Sequence, residues 1–133
     1  MSGEVMKFYI ASGFINKEKV QYVGQHLLKQ GYQLTYDWTV NERASTLEEL
    51  QSIGQKEKDA VIEADFLVVL LPGGKGTHIE MGIALGHGKQ VFLYSPDEAV
   101  SNLGTTSTFY HLPEVKKCFG TLDELIDTII ENS

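Results

Sequence analysis

The sequence has few of the residues that build a disulfide framework, a metal cluster or a membrane span. Cys118 is the only cysteine among 133 residues, which excludes an internal disulfide and a cysteine-rich metal site. No apolar run approaches the ~20 residues that cross a bilayer. The first four residues (MSGE) carry an acid where a secretory signal would be basic. We therefore expect a cytoplasmic protein without a membrane partner.

Positive charge is also scarce. Eleven lysines and arginines face 18 acidic residues, so the net charge is −7. This excess argues against binding to a nucleic acid polymer or an anionic membrane surface. A small anionic ligand stays compatible, because one loop can attract it locally. The length fits one domain over residues 1–133, and 42% hydrophobic residues are enough for a core.

Short apolar runs alternate with amphipathic stretches along the whole chain. Period-2 and continuous apolar patterns predict strands, and stripes of apolar residues at helical spacing predict helices. Strands are expected at residues 5–12, 33–38, 66–71, 90–94 and 115–119, with helices at 16–31, 46–64, 77–86 and from 122 onwards. This order predicts a single-domain α/β fold, a Rossmann/flavodoxin-like three-layer sandwich with a mostly parallel five-stranded sheet.

Ligands of such sheets bind beyond the carboxyl ends of the strands, which directs attention to the loop PGGKGT at residues 72–77. Gly73, Gly74 and Gly76 are expected to adopt left-handed turns and let the backbone approach a ligand. Free N–H groups there would bind an anion, and Lys75 and Thr77 add a cation and a hydroxyl. The spacing matches neither a Walker A loop nor the dinucleotide-binding glycine fingerprint.

Glu80, just after this loop, has two interpretations. Thr77 and Glu80 have the spacing of a capping box, in which the glutamate returns to the backbone of the helix start. A carboxylate in a first helical turn is also held ionised by the helix dipole, as a carboxylate nucleophile requires. The two interpretations are compatible.

Two separated blocks resemble the nucleoside 2-deoxyribosyltransferase family. Residues 7–14 (KFYIASGF) are similar to its first strand and sugar-lining loop, and residues 65–91 contain an Asp before a strand, then G-x-x-x-E-x-G-x-A and Gly-Lys. The resemblance implies that Glu80 is the nucleophile, Tyr9 supports it, and Asp65 has a structural role. It also implies a small nucleoside or nucleotide substrate, no cofactor, and a homodimer or larger homo-oligomer.

The implied reaction is a double displacement, in which Glu80 attacks C1′ of the sugar and water or a second base releases the glycosyl group. The 72–77 loop is also similar to that of the Lonely Guy phosphoribohydrolases, which release a base from a nucleoside monophosphate. The amino-terminal half lacks that family's second glycine-rich loop. Both resemblances imply cleavage of an N-glycosidic bond.

Gly74 departs from the family pattern. Many deoxyribosyltransferases carry an acid six positions before the nucleophile, whereas the related nucleoside-monophosphate N-glycosidases carry a small residue that serves phosphate. Gly74 therefore favours a phosphorylated substrate, weak transfer or lost activity. Glu57 either supplies the missing proton or is a solvated charge in the run KEKD.

Further candidates surround the expected ligand edge. Ser12, with Gly13 and Phe14, would contact the sugar or phosphate. Trp38 either stacks on a base or belongs to the core, and Asp37 either contacts the ligand or caps its loop.

Some polar residues carry weaker signals. Hydroxyls at residues 104–108 either contact phosphate or belong to a polar loop. His78 and His87 lack partners at metal-binding spacing, so no metal site is expected.

The alternatives to a deoxyribosyltransferase are a nucleoside-monophosphate N-glycosidase, a non-catalytic nucleotide-binding or sensing module, and an NAD-cleaving enzyme.

Overall fold

A computed structural model describes residues 5–133. Residues 1–4, whose acid contributed to the expectation of a cytoplasmic protein, lie outside the described part. The chain forms a five-stranded, wholly parallel sheet between two layers of helices. The strands are β1 (Lys7–Ser12), β2 (Gln33–Leu34), β3 (Phe66–Leu70), β4 (Gln90–Tyr94) and β5 (Val115–Cys118), and the helices are α1 (Lys17–Lys29), α2 (Leu47–Glu63), α3 (Lys75–Gly86) and α4 (Leu122–Asn132).

The strand order is β2-β1-β3-β4-β5, so the predicted Rossmann/flavodoxin-like α/β fold is confirmed. Helices α1 and α4 pack together on one face of the sheet, and α2 packs against α3 on the other. Strand β3 is buried throughout and is a continuous apolar run, while β1 is buried except at its two end residues and β4 except at its first residue. The order reverses between β1 and β3, and this point, where a cleft opens beyond the strand ends, is where such folds bind ligands.

Most predicted elements are present, with one shortened. The second strand, expected over residues 33–38, pairs with β1 only at Gln33 and Leu34. The chain then turns into a short 3-10 helix, Trp38–Val40. The reason is that the indole N–H of Trp38 donates to the Ile10 carbonyl oxygen at 2.7 Å, which draws the ring into the core and away from an edge strand.

Helix ends follow local chemistry in two places. Gly31, with φ of 95°, follows α1 as predicted and takes a conformation that favours glycine. Thr121 and Glu124 form the reciprocal capping box of α4.

Asp65, which precedes β3, accepts the backbone N–H of Lys7 at 2.7 Å, so its observed contact is structural.

Within residues 5–133, no helix is both long and apolar enough to cross a membrane.

Candidate active site

Strand β1 and helix α3 bring Tyr9 and Glu80 together at the reversal point of the sheet. The Tyr9 hydroxyl donates a hydrogen bond of 2.8 Å to Oε2 of Glu80. Tyr9 is fully buried and Glu80 is 8% exposed. Because the buried Tyr9 fixes one carboxylate oxygen, the other, Oε1, is the one left to approach a ligand. This pairing is the contact that the family resemblance implies.

The environment of Glu80 differs from the expectation of a permanently ionised carboxylate. Burial raises the pKa of Glu80 to about 7, and the negative charge of Glu57 adds to the rise. The hydrogen bond from Tyr9 acts in the opposite direction and lowers that pKa. Burial, and then the charge of Glu80, hold the pKa of Tyr9 well above its usual range, so Tyr9 stays a donor.

The capping-box interpretation of Thr77 and Glu80 is wrong. Helix α3 begins two residues earlier than predicted, at Lys75, with Gly74 as its N-cap. Glycine is an accepted N-cap residue, and the 72–77 loop is therefore shorter than its composition indicates. Thr77 lies inside the first turn and is buried, while Glu80 lies in the second turn, where the helix dipole is weak. Burial therefore decides the protonation of Glu80.

Close packing explains one glycine of the glycine-rich loop, Gly73, and left-handed turns explain none of its three. Positive φ angles occur, within residues 5–133, at Gly31, Gly88 and Gly120, so the prediction for Gly73, Gly74 and Gly76 is wrong. A Cβ on Gly73 would lie 2.6 Å from Cβ of Thr77, which no real side chain tolerates. At Gly74 and Gly76 the same atom would meet nothing within 4 Å.

The first turn of α3 is open to a ligand. Gly74, Lys75 and Gly76 are exposed. The first N–H groups of a helix have no intrahelical acceptor, so this turn can donate to an anion.

Ser12 and Asn16 join the loop after β1 to the loop after β3. The Ser12 hydroxyl donates to the Leu70 carbonyl oxygen at 2.6 Å. Asn16 donates through Nδ2 to Ser12 Oγ at 3.0 Å and to the Pro72 carbonyl oxygen at 3.1 Å. Asn16 occupies the N-cap position of α1, but its side chain makes no capping bond. With its proton used, Ser12 offers a ligand only acceptor capacity.

Gly13 belongs to the same junction. Its missing Cβ would lie 3.3 Å from the Pro72 carbonyl oxygen, so the two loops touch through a glycine.

Two of the predicted contacts, Trp38 and Asp37, have structural partners. Trp38 is 6% exposed and belongs to the core. Asp37 accepts the backbone N–H of Thr39 at 3.0 Å and so caps the 3-10 helix. Phe14 packs edge-on against Trp38, with centroids 5.6 Å apart, yet remains 65% exposed. Phe14 is therefore the aromatic ring that can stack on a ligand.

A cavity of about 660 Å³ opens beside Phe14. It is lined by Phe14, Trp38, residues 41–44, and Leu50, Ile53 and Glu57 of α2. Glu57 is half-buried, and burial raises its pKa. Because the charge of Glu57 raises the pKa of both Tyr9 and Glu80, this part of the cavity lining lies within electrostatic range of that pair.

The sequence left Glu57 open between a proton source and a solvated charge, and it did not single out Arg43. Glu57 is half-buried in the lining of the cavity, so it is not a fully solvated charge. Arg43 had a usable signal: it is the only arginine in a chain of net charge −7, and it follows the second strand at the expected ligand edge.

Two of the hydroxyls at residues 104–108 donate to backbone carbonyl oxygens nearby in the chain. Thr105 donates to the Ala99 carbonyl oxygen at 2.6 Å, and Thr106 donates to that of Val100. Their observed partners therefore belong to their own loop. Within the described residues, no group of three or more His, Cys, Asp or Glu side chains could hold a metal ion.

The fold and the buried tyrosine–glutamate pair define an α/β protein with a carboxylate site at the strand reversal. The chain matches the nucleoside 2-deoxyribosyltransferase family over residues 8–124, and it belongs to that family. The chemistry of this family is the transfer or cleavage of N-glycosidic bonds on small nucleoside or nucleotide substrates. No curated protein matches the sequence significantly.

Solved structures with little sequence identity share the fold. The CMP N-glycosidase BcmB of Clostridium botulinum is 18% identical, with a TM-score of 0.61 over 93% of this chain and 98% of its own. A conserved protein of Enterococcus faecalis V583 is 16% identical, with a TM-score of 0.69 over 98% of this chain and 100% of its own. BlsM is 18% identical, with a TM-score of 0.65 over 98% of this chain and 93% of its own.

Proposed function

We propose that this protein cleaves or exchanges the N-glycosidic bond of a nucleoside or (deoxy)nucleoside 5′-monophosphate, with Glu80 as the nucleophile. The observation that carries the proposal is the buried hydrogen bond of 2.8 Å from Tyr9 to Glu80 Oε2. It holds one carboxylate oxygen and leaves Oε1 for the sugar. Tyr9 thus acts by orienting the nucleophile.

The reaction is a double displacement. Oε1 of Glu80 attacks C1′, the bond from C1′ to the base nitrogen breaks, and an ester joins the sugar to Glu80. The departing base takes up a proton. In the second step water or another base attacks C1′, releases Glu80 and gives net retention of configuration.

Glu57 is the proposed source of the proton. Burial raises its pKa, so a larger fraction of it carries a proton near neutral pH than of an exposed glutamate. It lines the cavity beside Phe14, where a base would lie. This arrangement replaces the acid that many deoxyribosyltransferases carry at the position of Gly74.

The substrate is proposed to span the reversal point. The base of the substrate occupies the cavity against Phe14. Arg43, which also lines this cavity, offers donors to carbonyl oxygens of the base. Its phosphate meets the exposed first turn of α3, where Gly74 leaves open space instead of a repelling carboxylate.

Gly74 also supports a second candidate, hydrolysis of a nucleoside monophosphate without transfer. With glycine instead of an acid at position 74, a departing base finds fewer groups to rebind it for exchange. The CMP N-glycosidase BcmB, which shares the fold, is a precedent for this chemistry in that protein.

The test is chromatography of nucleosides, deoxynucleoside monophosphates, CMP and NAD incubated with the protein. Free base without an acceptor indicates a hydrolase, and a new nucleoside with an added base indicates a transferase. Nicotinamide release indicates an NAD-cleaving enzyme. Binding without turnover indicates a sensing module and refutes the catalytic proposal.

The decisive variant is Glu80→Gln, which keeps an oxygen to accept the hydrogen bond from Tyr9. We expect binding to persist and turnover to fall by at least about 10³-fold, because an amide cannot form the glycosyl ester. Glu114→Gln, an exposed carboxylate before β5, is the matched control and should retain full activity. Substantial turnover by Glu80→Gln would exclude the nucleophile assignment.

A further inference from the structure

The ring of His78 connects α3 to the 3-10 turn Thr108–His111. Its Nδ1 lies 2.8 Å from the carbonyl oxygen of Gly74, and its Nε2 lies 2.6 Å from the hydroxyl oxygen of Tyr110. A carbonyl oxygen can only accept, so Nδ1 donates to Gly74. Nε2 and the Tyr110 hydroxyl form the second hydrogen bond of the ring.

Both partners of His78 are well placed to fix it. Gly74 is the N-cap of α3, and its carbonyl oxygen also accepts the backbone N–H of His78 at 3.2 Å. The ring and the backbone of His78 therefore bind the same oxygen, at the first turn of the helix. Tyr110 is 7% exposed, and its backbone N–H donates to Ser107 at 3.1 Å. Within residues 5–133, this is the only side-chain hydrogen bond between α3 and the segment 95–114.

This first turn of α3 is the one that the proposed function assigns to the phosphate of the substrate. The direction of its free N–H groups depends on the peptide unit of Gly74, whose carbonyl oxygen His78 holds. Thr77, which is buried and lies against Gly73, packs the inner side of this turn, whereas a Cβ at Gly74 or Gly76 would meet nothing within 4 Å. On this exposed side the histidine–tyrosine pair supplies the side-chain restraint.

We propose that His78 and Tyr110 are positioning residues that hold the first turn of α3 in the orientation that receives the 5′-phosphate of the substrate. The inference rests on the proposed function. Glu80 accepts its hydrogen bond from Tyr9, on the sheet side of α3. The His78–Tyr110 pair therefore governs phosphate affinity and leaves the chemical step unchanged.

The test compares binding of a deoxynucleoside 5′-monophosphate with binding of the matching nucleoside. Calorimetry in a Glu80→Gln background prevents turnover, and the base is whichever of the four common ones this variant binds most tightly. Tyr110→Phe removes only the hydroxyl. The matched control is Tyr94→Phe, which removes the hydroxyl of another buried tyrosine, one that donates to the Gly120 carbonyl oxygen at 2.8 Å on the β5 side.

Tyr110→Phe should raise the Kd of the monophosphate about fivefold, as the loss of one positioning hydrogen bond predicts, and leave the Kd of the nucleoside unchanged. His78→Ala also removes the bond to Gly74 and should raise this Kd at least as much. The double variant should be no worse than His78→Ala, because the Tyr110 hydroxyl acts through the His78 ring. In the active protein the KM of the monophosphate should rise while kcat stays constant.

Three results would overturn the inference: an equal loss for both ligands, an unchanged Kd of the monophosphate, or the same loss in Tyr94→Phe. Absence of monophosphate binding before any change at residue 110 also overturns it, since there is then no phosphate to position. If the parent protein binds the monophosphate without cleaving it, the proposed function fails while the positioning role stands.

Discussion

Replacing Glu80 by glutamine should stabilise the protein at alkaline pH. Burial raises the pKa of Glu80 from 4.5 to about 7 in the folded protein. Between these two pH values the folded protein holds a proton that the unfolded chain has released, so the free energy of unfolding falls as pH rises. Above pH 7 both states are ionised, and the full cost of the buried charge remains.

The size of the effect follows from the shift. A difference of roughly 2.5 pH units at 1.36 kcal/mol per unit corresponds to about 3 kcal/mol. Glutamine cannot ionise, and its carbonyl oxygen can still accept the hydrogen bond from Tyr9. Glu80→Gln should therefore equal the parent protein near pH 4.5 and exceed its free energy of unfolding by about 3 kcal/mol at pH 8.5.

Urea unfolding at pH 4.5, 6, 7 and 8.5 measures this difference. Trp38 is the only tryptophan and is buried, so its fluorescence reports global unfolding. Glu114→Gln controls for the loss of one negative charge at an exposed site and should show no such dependence on pH. If Glu80→Gln is no more stable than the parent at pH 8.5, burial does not control the pKa of Glu80, and the electrostatic argument fails.

Other substitutions test the same site. In the parent, kcat/KM should rise with pH through about 7, because the nucleophile must be ionised. Tyr9→Phe removes the bond that lowers the pKa of Glu80 and should move this rise to higher pH. Glu57→Gln removes a charge that raises that pKa and should move the rise to lower pH, and it should also lower the maximal rate because Glu57 is the proposed proton donor; pH–rate profiles check both variants. Gly73→Ala would place a Cβ 2.6 Å from a buried threonine and should cost about 1–3 kcal/mol of stability in urea unfolding. Gly76→Ala, inside α3 and with open space around the new Cβ, should cost little and serves as its control.

The predictable parts of the fold are the elements whose sequence pattern is compatible with only one kind of structure. Strand β4 has the predicted bounds, Gln90–Tyr94, and β3 ends one residue early, because a continuous apolar run is buried on both faces. The edge strand β2 was overextended, since alternation of apolar and polar residues is equally consistent with an extended loop. Only the tertiary hydrogen bond from Trp38 to Ile10 decides where that strand stops.

The central pair of the site was predictable from the family resemblance, but its electrostatics were not. Tyr9 and Glu80 are 71 residues apart, and only the family resemblance paired them. The spacing of Thr77 and Glu80 matched a capping box, yet the helix begins at Lys75 with Gly74 as its N-cap. Glu57 sits in a charged run that is typical of a solvent face, and its approach to Glu80 depends on how α2 packs on the sheet.

The burial of Glu80 has opposite consequences for the resting protein and for the proposed reaction. Without substrate, a buried carboxylate beside Glu57 resists ionisation, which is why its pKa reaches about 7. As the glycosidic bond breaks, positive charge develops on the sugar at C1′, next to the carboxylate. In a site of low dielectric this attraction is stronger than in water, so the same burial that disfavours the free carboxylate favours it in the transition state. A site that disfavours charge before reaction and stabilises it during reaction lowers the barrier without tightening the binding of substrate.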